Sequence, residues 1–127
     1  MLLRQNKQVI SLEKTNIADF RKESFPEVDF VVADISFNSL VKLSTAISQV
    51  SNKKDFQLLL LVKPQFELSK EKIPMGGVVT NEEDRKEAIQ SVNEAFQKLG
   101  FKFLGEVESE IKGRTGNQET FLYFERE

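Results

Sequence analysis

Apolar residues fall in short runs along the chain, and their spacing predicts a sheet of strands with crossover helices. Three runs are typical of strands: "VISL" (Val9–Leu12), "FVVA" (Phe30–Ala33) and the strongly apolar segment Phe56–Val62. The second and third are continuous rather than alternating, which is typical of parallel strands covered on both faces. Two later segments, Phe101–Val107 and Thr120–Glu125, alternate and predict an antiparallel pair at one edge of the sheet.

Two segments between the predicted strands show helical spacing. The first is Asn38–Val50, with Ser36 and Asn38 as candidate caps at its start. The second begins at Thr80, where Glu83 three residues later completes a capping box, and it ends before a glycine. The order β, β, α, β, α, β, β is an α/β pattern, and we expect a mostly parallel sheet with one antiparallel edge pair.

Ionisable residues stand at the predicted strand tips, which is where open α/β sheets bind ligands. Asp34 ends the second strand, Lys63 ends the third, and Glu119 precedes the last. Because the second and third strands should be parallel neighbours, we expect Asp34 and Lys63 to lie close together. A lysine between carboxylates can share a proton or hold a hydroxyl group. A purely structural ion pair is the alternative.

Composition limits the chemistry available at such a site. The 127 residues suffice for one domain, and 18 basic against 20 acidic residues give no overall attraction to nucleic acid. With no histidine and no cysteine, proton transfer falls to Lys, Asp, Glu or Tyr, and disulfides are excluded. The polar N-terminus and the lack of a long apolar run predict a cytoplasmic protein without a membrane span.

The loop between the third strand and the second helix leaves a further choice open. Gly76 and Gly77 could let the backbone approach a ligand phosphate, or they could form a plain turn. Asn117 suits either a left-handed turn or a ligand contact. Most phenylalanines fall on strands and helix stripes, with Phe37 or Phe66 expected to be exposed near the strand tips.

Four blocks of this sequence, in this order, resemble the hemolysin A-like (TlyA-type) ribosomal RNA methyltransferases, which share the FtsJ-type catalytic domain. They are "VDFVVADISFNSL", "LLLLVKPQFE", "GGVVTNEEDRKEAI" and "IKGRTGNQETFLYF". The resemblance runs from about Leu3 to Glu125. It implies a Rossmann-like fold that uses S-adenosylmethionine, preceded by a small S4-type RNA-binding domain, and methylation of ribose 2′-hydroxyls in ribosomal RNA.

The resemblance also implies roles for individual residues. The family's catalytic set is lysine, aspartate, lysine and glutamate, and Asp34, Lys63 and Glu119 fall on its last three members. Asp34 is also expected to touch the cofactor. Asn16 falls where such enzymes contact the adenine end of the cofactor. No metal is implied.

Several family features do not occur in this sequence. The glycine-rich cofactor loop, the acidic residue that holds the cofactor ribose, the first catalytic lysine and the S4 domain all belong upstream of Met1. We therefore expect the chain to be the carboxyl-terminal portion of an FtsJ-like domain with an incomplete sheet. It should bind S-adenosylmethionine weakly or not at all and be inactive alone. An incomplete sheet is also expected to self-associate through its exposed edge.

Two alternatives remain at the level of sequence. A receiver-type phosphoacceptor domain also has an aspartate at one strand tip and a Lys-Pro pair at a later one, although no acidic pair follows the first strand here. The chain could instead be a non-catalytic hemolysin-like protein or an interaction fragment. It has no basic amphipathic segment of the kind that lies on membranes.

Overall fold

The computed structural model describes residues 5–112 and 116–127. Within these residues a four-stranded sheet has the spatial order β1-β2-β4-β3 and carries helices on one face. The strands are β1 (Phe30–Ala33), β2 (Gln57–Val62), β3 (Phe101–Glu108) and β4 (Thr120–Arg126). The helices are α1 (Leu40–Ser48), the single turn α2 (Pro64–Glu67) and α3 (Glu82–Lys98).

The sheet is mostly antiparallel, so the prediction of a mostly parallel sheet is wrong. Only β1 and β2 run parallel, whereas β4 pairs antiparallel with β2 on one side and β3 on the other. The reason is the position of β4, which enters between β2 and β3 instead of lying at an edge. The predicted antiparallel pairing of the last two strands is confirmed, with β3 as the outer strand.

The predicted strand at Val9–Leu12 does not form. That segment is irregular and its apolar side chains are exposed, with Ile10 at 61%. A β-branched run needs a neighbouring strand to satisfy its backbone, and in the described part of the chain this segment has none. Strand propensity alone was therefore a poor guide here.

Both long helices begin one residue after an asparagine or serine cap, but not at the predicted residues. Ser39 caps α1, where its hydroxyl accepts from Val41 N and Lys42 N at 3.1 and 3.4 Å. Asn81 caps α3 by accepting from Glu83 N at 2.9 Å and Asp84 N at 3.2 Å, so Thr80 does not form a capping box. Several neighbouring residues with short polar side chains can each cap a helix, and the sequence alone does not show which of them does so.

The core lies between the sheet and the helices. Phenylalanine rings from α3 and the strands meet there, with Phe96 against Phe101 and Phe124 at centroid distances of 6.1 and 5.6 Å. The fully buried large apolar side chains are Phe56, Phe96, Phe101, Phe124, Ile47, Leu58, Leu60, Leu122, Val62 and Val92. This core fixes the strands whose tips carry the ionisable residues.

The opposite face of the sheet carries apolar side chains without helices over them. Phe30 and Val32 on β1 are 42% and 62% exposed, and Val107 on β3 is 64% exposed. A groove of about 470 Å³ runs over this face beside Leu59 and Tyr123. This face, together with the outer strand β1, therefore exposes apolar side chains to solvent.

The carboxyl-terminal strand is anchored by Arg126. Its guanidinium donates to the backbone oxygens of Ser48, Ser51 and Lys53 and lies 5.1 Å from the ring centroids of both Phe56 and Phe101. Such a planar, five-donor group can satisfy several carbonyls while stacking on aromatic faces. The end of β4 is thereby tied to the loop after α1.

Candidate functional site

The structure brings Asp34 and Lys63 together at the carboxyl ends of the two parallel strands. β1 and β2 pair in parallel with Ala33 opposite Leu60, so the carboxyl ends of both strands lie at the same end of the sheet. The Lys63 ammonium lies 2.5 Å from Asp34 Oδ1 and donates to Ser36 Oγ at 3.1 Å. The chain turns sharply after Lys63 because Pro64 starts the helical turn α2.

The two partners of this ion pair differ in burial. Lys63 is 9% exposed as a residue, whereas the Asp34 side chain is 66% exposed. Ion pairs open to water on one side contribute only about 0–1 kcal/mol to stability. The pair is therefore a weak stabilising device, while it holds a cation at a fixed point on the surface. An ammonium has three N–H donors, and Asp34 and Ser36 take two of them.

Glu119 lies beside this pair. It stands one residue before β4, and Thr120 of that strand pairs with Val62, the residue before Lys63. Glu119 is 7% exposed. Burial raises the pKa of its carboxyl above the ordinary value and the charge of Asp34 raises it further, while the Lys63 ammonium opposes the shift. The three ionisable residues picked from the sequence thus form one electrostatically coupled group.

Asn16 is not part of this group. Its side chain accepts from Ala18 N at 2.9 Å and caps a short 3-10 turn, Ile17–Asp19. The strand expected before it is absent. In the described residues its amide therefore has a local capping contact, and its assignment to a cofactor site stays a prediction.

Asn117 and the glycine pair act together. Asn117 is fully buried, accepts from Val79 N at 2.8 Å and donates to Gly77 O at 2.9 Å. Gly76 and Gly77 have φ angles of 93° and 80°, a region that L side chains rarely adopt. The amide thus pins the loop before α3 to the segment that leads into Glu119. Neither a turn reading nor a ligand reading of Asn117 anticipated this clamp.

The exposed aromatic residue expected near the strand tips is Phe37. It is 90% exposed and has a left-handed φ of 61°, and its ring lies 5.3 Å from that of Phe66. A groove of about 650 Å³ extends from these rings past Lys42 and Lys70. Large exposed rings beside cations are suited to stack on nucleobases near phosphates.

The sequence analysis did not select a further carboxylate in this region, that of Glu67. Glu67 ends the α2 turn, and its two oxygens accept from Ser39 Oγ and Leu40 N, both at 2.7 Å. Burial raises the pKa of the Glu67 carboxyl, and these hydrogen bonds act in the opposite direction. The sequence signal was its spacing of four residues from Lys63 in "KPQFE".

The described residues fit only one side of an S-adenosylmethionine site. Asp34 offers an exposed carboxylate at the β1 tip. None of the positive-φ glycines of the described residues, which are Gly76, Gly77, Gly100 and Gly116, comes directly after β1 or β2, so no glycine turn lies at those two strand tips.

Comparisons with known proteins agree with this fold. The model of the FtsJ-like methyltransferase family matches residues 1–126, and the chain belongs to that family. The 16S/23S rRNA (cytidine-2′-O)-methyltransferase TlyA of Mycobacterium tuberculosis is 37% identical over 122 residues, which are 95% of this chain and 45% of that protein. Hemolysin A of Brachyspira hyodysenteriae is 32% identical over 124 residues, 96% of this chain and 51% of that protein.

A solved structure gives the same picture. A protein of Streptococcus thermophilus described as a hemolysin superposes with a TM-score of 0.91 at 30% identity, covering 98% of this chain and 45% of that one. The chain thus spans about half the length of the relatives that it matches. The family match and these relatives confirm the resemblance drawn from the four sequence blocks.

Among the described residues 5–112 and 116–127, no helix combines the length and apolar character needed to cross a membrane. No three of their acidic side chains gather closely enough to hold a metal ion.

Proposed function

We propose that this chain is the portion of a ribosomal RNA 2′-O-methyltransferase that binds the acceptor ribose. The observation that carries the proposal is the buried Lys63 ammonium, fixed at a strand tip by Asp34 and coupled to Glu119. The named activity of the Mycobacterium tuberculosis and Campylobacter jejuni relatives, rRNA (cytidine-2′-O)-methylation, supports the substrate class.

The residues of the chain would act on the acceptor hydroxyl. Two N–H groups of Lys63 are taken by Asp34 and Ser36, which leaves the third for the ribose 2′-oxygen. That hydrogen bond stabilises negative charge as it develops on the oxygen. Glu119, whose pKa is raised, can receive the hydroxyl proton more readily than an ordinary exposed carboxylate.

The cofactor supplies the other half of the chemistry. S-adenosylmethionine carries an activated methyl group on a positively charged sulfur, so the protein has mainly to align the acceptor and manage one proton. Asp34 is the residue of this chain that we assign to both sides, since its exposed carboxylate faces outward from the pair with Lys63. Asn16 is the second candidate contact, toward the adenine end.

RNA would reach the site over the aromatic groove. The exposed Phe37 ring can stack on a base, and Lys42 and Lys70 line the same groove, where phosphates would pass. In this proposal the bases would lie on one side of Lys63 and the cofactor on the other. The S4-type domain expected upstream would add affinity for ribosomal RNA.

We propose that the chain alone lacks activity because its cofactor site is incomplete. It would be the carboxyl-terminal portion of an FtsJ-like domain, with the glycine-rich loop, the first catalytic lysine and an S4 domain in the longer parent. Isothermal titration calorimetry of the 127-residue chain with S-adenosylmethionine should then show no binding in the micromolar range. Micromolar binding would contradict the incomplete site.

The activity itself can be tested by restoring the upstream portion. A fusion of the upstream portion of the Streptococcus thermophilus relative to this chain should transfer labelled methyl groups to ribosomal RNA at a ribose 2′-oxygen. Circular dichroism and a thermal melt would show that the fusion folds. A folded fusion that binds S-adenosylmethionine yet methylates no ribosomal RNA would contradict the proposal.

A further inference from the structure

The loops that follow β1 and β2 are joined at both of their ends. At the near end, the Lys63 ammonium contacts Asp34 and Ser36. At the far end, the Glu67 carboxylate contacts Ser39 and Leu40. Between these two attachments the rings of Phe37 and Phe66 meet at 5.3 Å. The two loops therefore form one clasp, with residues 34–40 on one side and 63–67 on the other.

The far attachment uses both oxygens of the Glu67 carboxylate. Glu67 Oε1 accepts from Ser39 Oγ and Oε2 accepts from Leu40 N, each at 2.7 Å, and both contacts are partly buried. Leu40 is the first residue of α1, where a negative charge is favoured by the helix dipole. Ser39 Oγ can donate to Glu67 and still accept from Val41 N. The start of α1 is thus capped from two directions at once.

The distance between the two attachments is fixed by the α2 turn. Phe66 N donates to Lys63 O at 2.9 Å, and Leu68 N donates to Pro64 O at 3.1 Å. Lys63 and Glu67 therefore stand one helical turn apart on a rigid segment that begins with proline. A shift of Glu67 relative to α1 would alter the reach from Lys63 to Asp34 and Ser36.

The other loop contains backbone strain that such an anchor can hold. Phe37 lies at a φ of 61°, a conformation that is costly for a large side chain and is kept only when the surrounding structure enforces it. It is 90% exposed, so its own burial does not enforce it. The enforcing contacts are those at the two ends of its loop.

We propose that Glu67 is a positioning residue for the Lys63 site. By anchoring Ser39 and Leu40 it sets the loop that carries Asp34, Ser36 and Phe37 against the Lys63 ammonium. Its importance for methyl transfer rests on the proposed function, but the positioning itself is a property of this chain and can be measured without cofactor or RNA.

The test is NMR spectroscopy of the 127-residue chain, comparing wild type with Glu67→Gln. Gln retains one acceptor oxygen but loses the second and the charge. In the wild type the ¹⁵Nζ–Hζ signal of Lys63 should be observable, because a buried, paired ammonium exchanges its protons slowly. In Glu67→Gln we expect that exchange to be about tenfold faster or more, with weakened contacts between the Phe37 and Phe66 rings.

Glu71→Gln is the matched control, because Glu71 is an exposed glutamate in the next turn, Lys70–Lys72. It should leave the Lys63 signal and the ring contacts as in wild type. A thermal melt of each variant separates positioning from global stability. Glu67→Gln with unchanged Lys63 exchange and unchanged ring contacts would overturn the proposal, whether or not its melting temperature falls.

Ser39→Ala provides a second variant in case Glu67→Gln fails to fold. It removes the Oε1 partner of Glu67 and also the side-chain cap on Val41 N and Lys42 N, and it leaves the Leu40 contact in place. We expect about threefold faster Lys63 exchange, since one of two anchoring contacts is lost. Wild-type exchange in this variant would count against Glu67 as the anchor. Failure of the methylation assay would not affect either result, so the two proposals fail separately.

Discussion

Replacing Asn117 with alanine should loosen the loop before α3 and lower the stability of the whole chain. The substitution strips partners from two backbone groups, Val79 N–H and Gly77 C=O. Val79 is 4% exposed, so its amide cannot turn to water without local opening. Gly77 is only partly buried, so its carbonyl can recover a water contact.

The expected cost follows from these exposures. A buried amide left without an acceptor costs about 1–3 kcal/mol, and the partly hydrated carbonyl about 0.5–1 kcal/mol. The total of about 1.5–4 kcal/mol is a large fraction of the about 5–15 kcal/mol that stabilises a domain. With an unfolding entropy of about 2.1 cal/mol/K per residue, a chain of this length should melt about 6–15 °C lower.

The assay combines a thermal melt, followed by far-ultraviolet circular dichroism, with amide hydrogen exchange at Val79. Asn117→Asp should be intermediate, because it keeps an acceptor for Val79 N but has no donor for Gly77 O. Asn52→Ala is the control: Asn52 is exposed and accepts from Lys22 at the surface, so its melt should stay within about 2 °C. Wild-type stability and Val79 protection in Asn117→Ala would refute the clamp.

Three further predictions address other parts of the chain. The pKa of the Glu119 carboxyl in the folded chain lies above its ordinary value of 4.5, so folding becomes less favourable as the pH rises and the buried carboxyl must ionise. Glu119→Gln should therefore gain stability relative to wild type between about pH 4 and about pH 7 in urea unfolding, and equal differences at both pH values would contradict this. A lysine at position 126 cannot satisfy three carbonyls and stack on two rings as Arg126 does. Arg126→Lys should therefore lower the free energy of unfolding, measured in urea, by about 1–3 kcal/mol, and a decrease under about 0.5 kcal/mol would refute the anchor. Sedimentation velocity should show self-association of the wild type that Val32→Lys reduces at the exposed β1 edge, whereas a concentration-independent wild-type monomer would count against it.

Sequence pattern predicted the proximity of Asp34 and Lys63 better than it predicted the order of the strands. Asp34 and Lys63 follow continuous apolar runs, and such runs are neighbouring parallel strands in this fold. To predict that Asp34 and Lys63 are adjacent, only the pairing of β1 with β2 had to be correct. Glu119 was named as a strand-tip residue and then matched to the family's glutamate, and the register of β4 beside β2 places it next to Lys63.

What the sequence could not provide was the long-range order of strands. Nothing in the local sequence of Thr120–Arg126 shows that this strand lies between β2 and β3. Apolar and polar side chains alternate in the same way in an edge strand and in an inner strand. The "VISL" run shows the reverse error, because strand propensity means little without a partner strand. The helices were found, but their caps shifted by one residue within clusters of capping side chains.

The contacts that join loops were also beyond local pattern. Asn117 reaches back 38 and 40 residues to Val79 and Gly77, and Glu67 reaches back 28 and 27 to Ser39 and Leu40. Each uses an ordinary polar residue whose partner is set by the packed fold. Only a motif such as "KPQFE", where two ionisable residues stand one helical turn apart, gave a hint.

The account depends most on Lys63 as the group that faces the acceptor hydroxyl. The direct test is methyl transfer to ribosomal RNA by the fusion described above, with Lys63→Met against Lys98→Met, an exposed lysine at the end of α3. The account predicts a loss of about 10²–10⁴-fold for Lys63→Met, with the fold and cofactor affinity retained, and a change within about twofold for Lys98→Met. A Lys63→Met fusion that methylates ribose at the wild-type rate would contradict it.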